Sequence, residues 1–224
     1  MLKFNELLAE AASAEVRALY GEVIARLEPS VHFPLELYRK LTSDVGFVSV
    51  RTVLGAYVRL LRPKNYMEIG TRRGHSVCMV ARCATVPLKI CCFDAFLPGY
   101  AGEPNPGFEH VKKELAKFGC SDAACFVGNS RDTVPEYFEN NPDPVELFLV
   151  DGDHSAEGAR ADLLNAIGHV AINGLLVFDD ISGNCGVDPR LKTVWLEVMA
   201  QHPTFIHYED TTHENGWAAA IRRA

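Results

Sequence analysis

Several features that would fix a class at once are missing from this sequence. No apolar run approaches the roughly eighteen residues of a membrane span. The N-terminus, MLKFNELLAEAASAEV, carries acids early instead of the basic-then-apolar layout of a secretory signal. None of the seven cysteines forms a CxxC pair, and an odd number so spaced fits reduced thiols rather than a disulfide framework or a zinc site. There is no basic stripe with interleaved aromatics, and the net charge is −7, which argues against a nucleic-acid surface. Internal repeats and low-complexity segments are absent. These absences lead us to expect a soluble cytoplasmic protein with neither membrane nor nucleic acid as partner.

What is present suits one buried core. With 224 residues, 48% of them hydrophobic and 23% charged, the chain reads as one domain with an appendage. Residues 1–62 carry helical spacing in Val16, Leu19, Val23, Leu27 and again in Val50, Val53, Leu54, Val58, Leu61. LEPSVHFPLE, with two prolines, separates the two patterns. From residue 63 short apolar runs take over: 66–69, 89–93, 123–127, 146–150 and 175–178, then 204–208 and 217–221. Helix-like segments near 75–84, 108–118, 131–140 and 156–170 alternate with them, the last placing Ala159, Leu163, Ala166, Ile167 and Val170 on one face. The expectation is an α/β fold, Rossmann-like and doubly wound, with a mostly parallel seven-stranded sheet. Its last strand should be antiparallel, because only a short turn with Asn215-Gly216 joins the final two runs.

Ligands of such sheets bind at the carboxyl ends of the strands, where Glu68, Asp94, Asp151 and Asp179 fall. EIGTRRGHS supplies Gly70, Gly74 and Ser76 in a strand-to-helix turn, but Arg72 takes the second glycine's place in a dinucleotide fingerprint. Asp94 stands where an acid can accept hydrogen bonds from both ribose hydroxyls, or simply form a turn. Gly128-Asn129-Ser130 offers small polar groups to an adenine edge, or Ser130 as a helix cap. Two buried-looking strands end in acids: ELFLV runs into Asp151, Asp153 and His154, and LLVF into Asp179 and Asp180.

Together these residues resemble the class I S-adenosylmethionine-dependent methyltransferases over roughly residues 45–224. They are most similar to small-molecule O-methyltransferases of the catechol and macrocin (macrolide-sugar) types. The resemblance implies cofactor contacts at Glu68, Gly70, Thr71, Gly74, Ser76, Asp94, Phe96, Asn129, Ser130 and Asp151. It implies Asp151, Asp179 and Asp180 as ligands of Mg²⁺ or Mn²⁺, and an oxygen-rich set without cysteine suits those ions. It further implies a general base three residues after Asp151, which is His154, with Asp153 as the rival. The expected substrate is a small-molecule hydroxyl, on a sugar diol or a catechol-like ring. Its determinants are expected in the N-terminal helices, which are also a possible homo-oligomer surface, and in the loops 96–108 and 182–190. In the first loop Phe96, Tyr100 and Phe108 are candidate walls. His75 reads as helix surface or packing near the cofactor. His32, His110, His169, His202, His207 and His213 show no ligand spacing.

Other classes weigh less. A cofactor-binding or auxiliary protein of a tailoring pathway needs no metal trio, and a nicotinamide oxidoreductase is disfavoured by Glu68 and Arg72.

Overall fold

The computed structural model describes residues 2–29, 35–44, 46–102, 105–183, 186–212 and 215–224. The strands are β1 (Asn65–Ile69), β2 (Lys89–Asp94), β3 (Ala124–Val127), β4 (Val145–Val150), β5 (Val170–Asp179), β6 (Phe205–Asp210) and β7 (Trp217–Arg222). Four helices precede them: α1 (Phe4–Ala11), α2 (Ala14–Arg26), α3 (Leu35–Ser43) and α4 (Val50–Leu61). The remaining helices lie between strands: α5 (His75–Cys83), α6 (Phe108–Ala116), α7 (Ser130–Asn140), α8 (Ala156–Ile167) and α9 (Leu191–Gln201).

All seven strands form one sheet in the order β3-β2-β1-β4-β5-β7-β6. β1 to β5 run parallel, and β7 is antiparallel to both its neighbours. Side chains alternate between the faces, as strand geometry requires. Tyr66, Cys92, Leu147, Leu149 and Val177 enter one apolar cluster with residues of α1, α2, α4 and α5. Met67, Cys91, Phe93, Phe148 and Phe178 enter the other, with α7, α8 and α9. The adjacent cysteines 91 and 92 thus point to opposite layers. The first cluster runs without a break across residues 62 and 63.

Two boundaries differ from the sequence reading. α8 stops at Ile167, and Val170 opens β5 instead of extending the helix. The segment 170–174 pairs back to Val145 through an irregular register before the regular ladder from Leu175.

Helix α4 is set by its own ends. Ser49 Oγ accepts from the Thr52 N–H at 3.3 Å while Thr52 Oγ1 accepts from the Ser49 N–H at 2.9 Å, a reciprocal cap. Gly55 lets it lie close on α5, for a Cβ there would stand 2.5 Å from Met79 Cε. This close packing brings the first turn of α4 to the strand ends. Among the described residues, no helix is long and apolar enough to cross a membrane.

Candidate active site

The strand order reverses between β1 and β4, and the crevice there is the general ligand site of an open parallel sheet. The two exits are bound together: the Asp151 N–H donates to the Ile69 carbonyl at 2.9 Å. Gly70 is obligatory in this arrangement. Its φ is +92°, and a Cβ would lie 1.8 Å from the Asp151 carbonyl oxygen. The turn closes as the Gly74 N–H donates to the Thr71 carbonyl at 2.8 Å, and α5 starts immediately after Gly74.

Beneath this turn lies Glu68, fully buried. Tyr66 donates its hydroxyl to Glu68 Oε2, and the hydroxyls of Thr71 and Ser76 are buried beside the same carboxylate. Burial pushes the Glu68 carboxyl up to about 7, against the hydroxyls of Tyr66, Thr71 and Ser76, which favour the anion; the negative Asp151 adds to the rise. Asp94 accepts from the backbone N–H of Arg72 at 2.6 Å and from that of Phe96. It therefore braces both loops, and each oxygen keeps a lone pair for a further donor. Burial raises its pKa, and the two amides oppose that. Asn129, not Ser130, caps α7, accepting from the Arg131 N–H at 3.0 Å. Ser130 is the first residue of the helix and donates to Asp162 Oδ1 at 2.5 Å.

The acids after β4 and β5 sort into two groups. Asp151 Oδ1 and Asp180 Oδ2 lie 3.4 Å and 3.3 Å from His154 Nε2. Ligand atoms of Asp151, His154 and Asp180 all fall within 4.8 Å of one another, a spacing that can hold a metal ion. Asp179 turns instead to Arg51 of α4, at 3.2 Å, and the same guanidinium is 3.9 Å from Asp151. Asp180 sits in the left-handed region, φ +64°, its N–H donating to Asp179 Oδ1 at 3.0 Å. Burial raises the Asp180 pKa, the negative Asp151 adds to it, and His154 pulls it down.

His154 is held at both nitrogens. Tyr100, from a 3-10 turn in the loop after β2, places its hydroxyl 3.0 Å from His154 Nδ1. Burial works against a charged ring, but the hydrogen bond to Asp151 and the charges of Asp151, Asp180 and Asp153 prevail, so the imidazole pKa is raised. Asp153 faces elsewhere. Its Oδ1 accepts from the Ser155 N–H at 2.9 Å, and its Oδ2 lies 3.6 Å from Arg131.

Of the candidate walls, Tyr100 reaches the site, with the Arg72 guanidinium 5.5 Å over its ring. Phe96 and Phe108 are half-buried against the core. The loop 182–190 folds back through Asp188, whose N–H donates to the His154 carbonyl at 3.0 Å and whose carboxylate accepts from the Ala156 N–H at 3.2 Å. Residues 103–104 and 184–185 of the two loops, like His32 and His213, lie outside the described residues. His75 opens α5, its Nδ1 3.3 Å from the Tyr38 hydroxyl.

Sequence reasoning missed two participants. Arg51 is a hundred residues or more from Asp151 and Asp179, and no local pattern marks it. Asp162, fully buried in α8, accepts from Ser130 and from the Asp153 N–H at 3.3 Å, joining two loops. His110, which shows no ligand spacing in the sequence, meets Glu28 and Glu114 in a separate group, where Lys117 already pairs with Glu114 and Arg73 adds positive charge.

A sequence profile described as a methyltransferase domain matches residues 67–181, just over half of the chain. No curated protein sequence matches. Among solved structures, an O-methyltransferase from Bacillus cereus in complex with SAH (S-adenosylhomocysteine) is 18% identical, covers 94% of this chain and 100% of its own, and has a TM-score of 0.63. TomG from Streptomyces achromogenes, an O-methyltransferase involved in tomaymycin synthesis and solved with SAM (S-adenosylmethionine), is 16% identical over 94% of this chain and 90% of its own, with a TM-score of 0.61. CalS11, a TDP-rhamnose 3'-O-methyltransferase of calicheamicin biosynthesis, is 18% identical over 93% of both chains, with a TM-score of 0.58. The matched segment spans the glycine turn, Asp94 and both acidic strand ends, and the chain belongs to the methyltransferase-domain family, on the class I, S-adenosylmethionine-dependent methyltransferase fold.

Proposed function

We propose that this protein transfers a methyl group from S-adenosylmethionine to a hydroxyl of a small molecule, assisted by a divalent cation, with His154 as general base. The observation that carries this reading is the imidazole set between two strand-end carboxylates and a tyrosine hydroxyl, beside the glycine turn. A protein that only held the cofactor would have no use for that constellation.

The residues suit the cofactor. Glu68 and Thr71 are polar groups buried at the glycine turn, Asp94 keeps acceptor capacity, and Asn129 and Ser130 open the helix after β3. They also suit Mg²⁺ or Mn²⁺, since the carboxylates of Asp151, Asp179 and Asp180, with no thiolate, form a hard oxygen donor set. A cation bound among Asp151, Asp179 and Asp180 would lower the pKa of a hydroxyl beside it. His154 then takes the proton at Nε2, the substrate oxygen bonds to the methyl carbon, and the carbon–sulfur bond breaks. Asp153 is the weaker candidate, being turned to the α8 N-terminus and Arg131.

Residues 1–62 belong to the substrate side in this reading, because α4 delivers Arg51 to the site. A sugar diol or a catechol, with two adjacent oxygens, matches a cation site, and CalS11 is a sugar O-methyltransferase on the same fold. The test is methyl transfer to catechol and sugar-diol acceptors by wild type and His154→Ala. The variant should lose roughly 10²–10⁴-fold in rate while binding S-adenosylhomocysteine normally. Unchanged turnover would move the proton to Asp153 or to water.

A further inference from the structure

The main chain that carries His154 is gripped by a residue from another loop. Asp188, just before α9, donates its N–H to the His154 carbonyl at 3.0 Å. Its carboxylate accepts from the N–H of Ala156, the first residue of α8, at 3.2 Å. One residue thus holds the backbone on both sides of Ser155. Other bonds of this segment are local or come from α8: Ser155 N–H to Asp153, Gly158 N–H to Ser155 and Asp153 N–H to Asp162. Asp188 is a firm anchor, because Val187 before it and Leu191 after it are buried in the apolar cluster shared with α8 and α9. The Arg190 guanidinium, 2.7 Å away, and the N–H groups of Arg190 and Ala156 hold its carboxyl well below the usual carboxylate range. The grip therefore persists as an anion's across neutral pH.

We propose that Asp188 is a positioning residue for the general base: by fixing the main chain at His154 and Ala156, it sets where the imidazole stands. The inference rests on the reading of His154 as base and deepens it. Tyr100 meets the ring at Nδ1, whereas Asp188 holds the backbone from which the ring projects. Moving a catalytic group by about 1 Å can cost on the order of 10²-fold in rate. The carboxylate acts two residues from the base, and none of its hydrogen bonds reaches the glycine turn or Asp94. Its loss should therefore slow proton removal and spare the cofactor.

The first readout is the nuclear magnetic resonance signal of the His154 ring in the full-length protein, assigned by its loss in His154→Ala. Asp188→Ala should shift and broaden that signal and leave those of the other histidines in place. With an acceptor from the catechol and sugar-diol panel, the same variant should lose roughly 10–10²-fold in kcat at unchanged KM for S-adenosylmethionine. Asp188→Asn, whose amide oxygen can still accept from Ala156, should recover most of the rate. Arg190→Ala, which keeps the carboxylate, should stay near wild type. Adding Asp188→Ala to His154→Ala should cost nothing further, because Asp188 acts through that side chain. Circular dichroism shows that each variant is folded. An unmoved His154 signal in folded Asp188→Ala, an equal loss in Arg190→Ala, or additive losses in the double variant would overturn the assignment and leave the base reading standing. Unchanged turnover in His154→Ala would overturn the base reading, and this inference with it.

Discussion

Glu68 shows how much one side chain under the glycine turn can set. It is fully buried with a pKa of about 7, chiefly through burial, whereas an ordinary glutamate titrates near 4.5. Between those values the folded chain holds a proton that the unfolded chain has released. Stability therefore falls as pH rises through this window, and the full penalty is present above about 7. Glu68→Gln removes the titration and keeps an acceptor for Tyr66. Its melting temperature should exceed that of wild type at pH 8, by the equivalent of on the order of 3 kcal/mol, and match it near pH 4.5. Equal differences at both pH values would show that Glu68 is not shifted. The position of this acid at a strand end was legible in the sequence; its depth was not, because burial depends on the neighbouring β4 exit. The same holds for the acids after β4 and β5. Their placement at the rim followed from two apolar runs, but their division between Arg51 and His154 needed α4, far away in sequence.

At the scale of elements, the loop after β4 is held from below by α8. Asp162, one turn and a half into that helix, accepts from Ser130 at the start of α7 and from the Asp153 N–H. The turn after β3 and the loop carrying His154 thus share one buried carboxylate, whose pKa burial raises and these two donors lower. Asp162→Ala would leave both donors without that acceptor. The expected cost is about 1–3 kcal/mol in urea unfolding, accompanied by weaker S-adenosylhomocysteine binding in calorimetry. Unchanged binding would mean that Ser130 does not depend on this tie. The strands of the parallel sheet were readable because they are buried on both faces and so appear as unbroken apolar runs. The start of β5 was not, since Val170-Ala171-Ile172-Asn173-Gly174 lacks such a run and pairs irregularly. α1 and α3 are short, and neither stood out by periodicity alone.

For the whole molecule, the question is whether one crevice in a continuous core binds the cofactor that its fold suggests. The apolar cluster that joins α1, α2 and α4 to the sheet makes the site part of the global structure, so ligand binding should raise the melting temperature of the entire chain. S-adenosylhomocysteine at 100 times its dissociation constant should add about 2.7 kcal/mol. For a chain this size that corresponds to a shift of roughly 5–11 °C. NADH, whose pyrophosphate would need the glycine that Arg72 replaces, should give none. Mg²⁺ should raise the melting temperature further by occupying the Asp151–Asp180 pair, and EDTA should remove that increment while leaving the S-adenosylhomocysteine shift intact. The two increments test separate halves of the reading. A cofactor shift without a metal shift would keep the methyltransferase and place the whole burden of proton removal on His154. No shift with S-adenosylhomocysteine would separate this chain's crevice from the chemistry of its family, since the sheet, the glycine turn and the strand-end acids would then be present without the ligand they surround.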